Sequence, residues 1–416
     1  MPPLRRLIYT FLYIASAILG VIKFSLFAKL LGTEQFGLYS LVLSIYVFIV
    51  YAGGMGLNES IIKLGSYAYG RGEFEQLYTI YSSSALFGGI ITVFIGAAFS
   101  LSIFLAIDNT ELASALALSS LLAFAALQFN FFDAYLRASQ KLLTYAFILV
   151  AKASLVILGG MSVAKAYGAY GVIVAESAVF LSISIISQYF FYSRYGIRAS
   201  RFSWTLAKEA IRNGFPLMSS YLIRTVSLSL DKWLIASSLG LVALGKYSFA
   251  MIVYLAATLA LGFLGTILGP KWLASFAVDR NALQLLRSTT KIIIIISGSL
   301  ALLLPLTYII TPLLIENFFP AFNEIEVFHS IIVIYISAIF LTPSIFLEWL
   351  YIAKSREKFI FRIYLYNFIF SVIVLTICWG FSLSIIYYAL SFLASRVFTL
   401  IIYISDLRAY PITKPI

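Results

Sequence analysis

Seven ionisable residues stand inside long apolar stretches of this 416-residue chain: Lys23, Lys152, Glu176, Arg224, Asp231, Lys232 and Arg396. A charge at bilayer depth costs ~2.5 kcal/mol or more, so such groups face a protein interior or a wet cavity and bind, pair or relay. Lys23, Lys152, Arg224 and Arg396 make a cationic set that an anion must balance. A diphosphate suits it, being multiply charged and able to take bidentate arginine contacts. Asp231, Lys232 and Glu176 are candidates for ion pairs or for coupling to an ion. Arg224 and Asp231 stand seven residues apart, which is two turns and one face of a single helix. Glu59 and Lys63, four apart, suit a local ion pair, and Lys246 at a helix end suits snorkelling. The chain has one cysteine (Cys378) and one histidine (His329). That excludes an intrachain disulfide and any metal centre built on several Cys or His, and no cofactor is expected.

The elements that carry these charges are membrane helices. Hydrophobic residues make up 62% and charged residues 11%, with a mean hydropathy of +0.99. A soluble domain is nearer half apolar and a quarter charged. The chain is expected to be all-α and polytopic, with about 12 transmembrane helices in two pseudo-symmetric six-helix bundles around a central cavity. The net charge of +12 sits in particular loops, which fits the positive-inside rule and removes nucleic acid as a partner. Twelve spans place every basic loop on one side, with both termini inside, and the turns at Asp108–Glu111 and Glu316–Glu326 outside. The longest basic connection carries Arg194, Arg198, Arg201, Lys208 and Arg212. It divides the chain into a bundle at 1–193, a linker at 194–214 and a bundle at 215–416, and Trp204 to Arg212 reads as an interfacial helix. Span eight is expected to close at Gly269-Pro270.

One loop pattern occurs twice. Leu31-Gly32-Thr33-Glu34-Gln35-Phe36-Gly37-Leu38-Tyr39-Ser40 returns as Leu239-Gly240-Leu241-Val242-Ala243-Leu244-Gly245-Lys246-Tyr247-Ser248, an offset of 240 − 32 = 208. Leu, Gly, Gly, Tyr and Ser keep their slots, so the chain reads as two related halves. Internal repeats in a membrane chain point to transporters that work by alternating access. At this offset Lys23 aligns with Asp231, which makes a contact between the two attractive.

The stretch Ala28-Lys29-Leu30-Leu31-Gly32 with Phe36-Gly37 and Tyr39, and its later counterpart from Asp231-Lys232 to Tyr247, resembles the polysaccharide transporter family. That family comprises the Wzx-type O-antigen and capsule flippases of the multidrug/oligosaccharidyl-lipid/polysaccharide exporter superfamily. The basic loop Arg137-Ala138-Ser139-Gln140-Lys141 after span four and the six-plus-six repeat extend the resemblance over the whole chain. The resemblance implies a non-enzymatic flippase in a prokaryotic cytoplasmic membrane. Its cargo would be a polyprenyl-diphosphate-linked oligosaccharide, moved from the inner to the outer leaflet for surface polysaccharide assembly. It further implies basic cavity residues that meet the diphosphate, a proton or sodium ion as coupling partner, and glycan polymerase or ligase partners. Asp231, Lys232 and the loop glycines occupy motif positions.

Two other functions stay open. A drug or small-molecule antiporter coupled to cations would need net acidic residues at depth, whereas Asp231 and Glu176 are outnumbered. A membrane-embedded glycan polymerase usually carries a large outer loop with catalytic residues. The longest outer loop here is Glu316 to Glu326, with no nucleophile constellation.

Overall fold

Hydrocarbon offers no partner for a free N–H or C=O, so a chain this apolar crosses the bilayer as helices and turns within very few residues. The computed structural model describes residues 3–195, 202–279, 282–354 and 356–409. Arg198 and Arg201 of the basic connection, together with Arg280 and Lys414, lie outside the described residues. The chain runs α1 (Pro3–Gly54), α2 (Leu57–Gly70), α3 (Phe74–Ala106), α4 (Thr110–Ala138), α5 (Leu142–Tyr195), α6 (Trp204–Ser227) and α7 (Leu230–Ser238). It continues as α8 (Gly240–Asp279), α9 (Ala282–Phe318), α10 (Ile325–Ala353), α11 (Glu357–Gly380) and α12 (Ile385–Ala409).

Nine segments among the described residues are long and apolar enough to span. Two of them, Leu7–Gly54 and Leu142–Tyr189, are 48 residues each. That is about 72 Å of helix at 1.5 Å per residue, more than twice the ~30 Å hydrocarbon core. Each is in fact two helices joined at one glycine, Gly32 and Gly168. Nine segments thus supply eleven spans, and the more polar α6–α7 pair supplies the twelfth. The repeated loop is therefore tighter than the sequence suggests. Gly32 alone breaks the helix (φ 73°), and its repeat mate Gly240 takes the same left-handed conformation (φ 84°). Only glycine adopts it without strain.

The described helices group into two compact units, Met1–Leu31 with Leu38–Ser229, and Gly32–Gly37 with Leu230–Ile416. In the first unit α6 packs on α2 by its small residues. Ala207 and Ala210 are fully buried, and the Ser60 hydroxyl donates to the Ala210 carbonyl. A Cβ at Gly56 would strike the Gly214 backbone, and one at Gly214 would strike the Gly56 carbonyl. The Ser203 N–H donates to Ser83 Oγ at 3.0 Å. The segment Trp204–Arg212, expected as an interfacial helix, is the first part of α6: Ala207 and Ala210 are buried, while Trp204, Lys208, Glu209 and Arg212 are exposed on the other side. Its Ala/Gly stripe lets two backbones meet closely, a gain that a lipid surface cannot give.

In the second unit the two repeated loops cross. A Cβ on Gly37 would strike the Leu241 carbonyl and the Gly245 nitrogen; one on Gly245 would strike the Thr33 carbonyl and the Gly37 nitrogen. Phe322 caps the crossing, stacked on Phe249 at 4.3 Å and edge-on to Phe36 at 6.2 Å. Lys246 does not snorkel: its ammonium pairs with Glu324 at 2.7 Å. Nor does α8 close at Gly269-Pro270, since it continues to Asp279 and Trp272 packs edge-on against Phe346. At the other end, Arg356 forks onto Asp406 (2.7 and 2.9 Å), and the Tyr351 hydroxyl donates to the same carboxylate at 2.8 Å.

Gly245→Val puts a branched side chain where two backbones touch. We expect loss of monodisperse protein on gel filtration, since overpacking costs ~1–3 kcal/mol even where a side chain can yield. Gly298→Ala, with nothing within 4 Å of its Cβ position, should elute and melt like the parent.

Candidate functional site

The first unit joins two of the seven intramembrane charges in one network. The Lys23 ammonium on α1 pairs with Glu176 on α5 at 2.8 Å, and both side chains are nearly buried (14% and 5% exposed). The other Glu176 oxygen accepts from the Tyr39 hydroxyl at 2.7 Å. Lys23 thus has its counter-charge within its own unit, and Glu176 is its partner. The alignment with Asp231 by repeat position does not make the pair.

Lys152 on α5 differs. It makes no ion pair among the described residues. Its ammonium lies 4.6 Å from the Phe129 ring centroid and 5.0 Å from that of Phe180, and the two rings meet edge to face at 5.5 Å. Ring faces attract a cation, but a buried one gains only ~2 kcal/mol from them, so its charge is only partly answered. Lys152 also lines a cavity of about 260 Å³ within the first unit, with Tyr46, Tyr51, Asn58, Glu59 and Asn130. Arg224 on α6 lies in electrostatic reach of Tyr51 on that wall. Glu59 faces this cavity while Lys63 is exposed, so the local pair expected between them is not formed.

The second unit repeats the tyrosine motif with other charges. The Tyr247 hydroxyl donates to Asp231 Oδ2 at 2.5 Å, and the Lys232 backbone N–H donates to Oδ1 at 2.8 Å. Asp231 is 3% exposed. The helix breaks at Leu228 and Ser229, between α6 and α7, so the two-turn spacing from Arg224 to Asp231 does not put them on one helical face. Arg396 on α12 lies in electrostatic reach of Asp231 without a salt bridge among the described residues. Its guanidinium carbon is 4.7 Å from the Phe392 ring and 5.5 Å from that of Tyr254, again an edge-to-face pair, at 4.7 Å. Arg396 Nε is buried with no hydrogen-bond partner.

Each unit therefore holds a tyrosine–carboxylate bond, the tyrosines at matching repeat positions and the carboxylates at different ones, and a cation without a salt bridge among the described residues seated on two edge-to-face rings. Sequence reasoning found the charges but missed Tyr39 and Tyr247, although both occupy a repeated slot. The aromatic seats carry no such signal, because Phe and Tyr are abundant throughout.

Glu176→Gln leaves the Lys23 ammonium buried without an anion. Breaking such a pair costs ~3–5 kcal/mol, whereas an apolar replacement of both partners is close to neutral. We expect a marked fall in the melting temperature of the purified protein for Glu176→Gln, and recovery of most of it in the double variant Lys23→Met/Glu176→Leu. Equal melting of all three proteins would mean that the pair contributes nothing.

A family model described as "Polysaccharide biosynthesis protein" matches residues 6–273. No curated protein sequence matches the chain. Among solved structures, the lipid II flippase MurJ in an inward closed conformation superposes with a TM-score of 0.76 at 15% identity, covering 98% of this chain and 88% of that one. An inward-facing multidrug resistance transporter of the MATE family gives 0.69 at 14% identity, covering 98% and 96%. A transporter from Pyrococcus furiosus, titled for the reverse polarity of its binding pocket, gives 0.63 at 13% identity, covering 99% and 96%. These superpositions span nearly the whole chain and share the fold, and the family match covers more than half of it. The chain belongs to the polysaccharide biosynthesis protein family and shares the polytopic helical fold of these solved structures.

Proposed function

We propose that this protein is a flippase that carries a polyprenyl-diphosphate-linked oligosaccharide from the inner to the outer leaflet of a prokaryotic cytoplasmic membrane by alternating access. The observation that carries the proposal is the pair of aromatic-seated cations. Lys152 and Arg396, one in each unit, have no ion-pair partner among the described residues. Cations seated on rings at depth, with carboxylates in electrostatic reach but no salt bridge, suit an anionic cargo, and a diphosphate supplies several negative charges with oxygens that accept a forked guanidinium. Arg224, in electrostatic reach of Tyr51 on the cavity wall of the first unit, adds positive charge beside it. Lys23 contributes less, because Glu176 already neutralises it. Glu176 and Asp231, each bound by a tyrosine, are the carboxylates through which a proton or sodium gradient would couple to transport. A drug antiporter is the weaker reading, since a cationic drug would meet ammonium and guanidinium groups at these seats.

In cells lacking the gene, the lipid-linked oligosaccharide should accumulate on the inner leaflet. Complementation with Lys152→Gln, Arg224→Gln or Arg396→Gln should restore normal membrane levels of the protein but at most a tenth of the export. Leaflet location is read by protecting the glycan from a membrane-impermeant oxidant or lectin. If the lipid-linked unit reaches the outer leaflet normally without the gene and only long chains are missing, the polymerase reading takes over.

A further inference from the structure

The cavity of the first unit contains more chemistry than an anion needs. Its wall carries one buried hydrogen-bond acceptor without a partner, Asn58 Oδ1, and beside it the Glu59 carboxylate, which makes no ion pair among the described residues. A diphosphate ester ionised at neutral pH has only acceptor oxygens, so it satisfies neither group, and Glu59 repels it. A metal cation would satisfy both, but Lys152 stands on the same wall. A ring of hydroxyl groups meets every requirement. Each hydroxyl donates one hydrogen bond and accepts two, so it serves Asn58 Oδ1 and Glu59 as donor, and Asn130 and Lys152 as acceptor. Tyr46, Tyr51 and Phe180 add apolar ring surface for the C–H face of such a molecule. Size agrees as well. The volume of about 260 Å³ leaves room for a pyranose ring with its hydroxyls.

We infer that this cavity is a sugar subsite and that it takes the ring attached to the diphosphate, with Lys152 at the junction of the two. The inference rests on the flippase assignment above and adds to it a recognition element. It makes Asn58, Glu59 and Asn130 specificity residues for the glycan, distinct from the cations that meet the phosphates.

The test is binding to the purified full chain in lipid nanodiscs with two synthetic probes, a short prenyl diphosphate and the same prenyl diphosphate bearing one N-acetylhexosamine. The parent protein should prefer the glycosylated probe by tenfold or more. Asn58→Ala and Glu59→Gln, each verified monodisperse, should cut that ratio at least fivefold. Asn130→Ala provides a third variant if one of these fails to fold. Equal affinity of the parent for both probes overturns the sugar subsite and leaves the flippase assignment standing. A large ratio that none of the variants alters also overturns it, by locating sugar recognition elsewhere. Binding of neither probe overturns the flippase assignment and the subsite with it.

Discussion

Hydrocarbon gives no hydrogen bonds, and that single constraint accounts for both the turns and the charges of this protein. At two of its breaks the chain interrupts the helix at a single residue, because each extra non-helical residue exposes polar backbone to lipid or must be covered by protein. Gly32 and Gly168 are such single-residue breaks. Where helices meet most closely, they meet at glycine and alanine, as at Gly56 with Gly214 and Gly37 with Gly245. Packing by small residues replaces the hydrophobic drive that is missing when the solvent is itself apolar.

The same constraint sorts the buried charges into two kinds. Lys23 with Glu176, and Arg356 with Asp406, are closed ion pairs, and a tyrosine hydroxyl donates to each carboxylate: Tyr39 to the second oxygen of Glu176, and Tyr351 to the Asp406 Oδ2 that Arg356 also holds. Each satisfies itself within its own unit, and such pairs are tolerated where the geometry is good and further donors reach the carboxylate. Lys152 and Arg396 are open by contrast. Aromatic rings hold them in place without cancelling their charge. A membrane protein that keeps a charge open retains it for something that arrives and leaves, and this separates positions that stabilise from positions that bind.

Much of this was legible in the residues. Composition dictated membrane helices, the loop charges fitted twelve spans, and the 208-residue repeat marked Gly32 and Gly240, which share a left-handed backbone. The intramembrane charges could be named one by one. Their partners could not. Lys23 finds Glu176 across 153 residues, a distance that no local period encodes, and repeat alignment suggested Asp231 instead. The i,i+7 relation of Arg224 and Asp231 failed because the helix is interrupted at 228–229, where no Pro or Gly announces a break. In the Trp204–Arg212 segment the basic residues suggested a lipid surface and are indeed exposed, but the packing of the opposite face through Ala207 and Ala210 was not foreseen. The cavity wall was out of reach too, because Asn58, Asn130 and Lys152 come from three separate helices.

The two tyrosine–carboxylate bonds also bear on history. At the slot shared by positions 23 and 231 one half carries a lysine and the other an aspartate, although Tyr39 and Tyr247 keep the same partner chemistry. A half-length ancestor assembled from two identical copies has one gene and therefore one residue at that slot, so both copies bear the same sign. Duplication within a single reading frame removes the restriction, because each copy then drifts alone. Holding both halves in one chain therefore lets this slot carry opposite signs, a polarity that an assembly of two identical copies does not have.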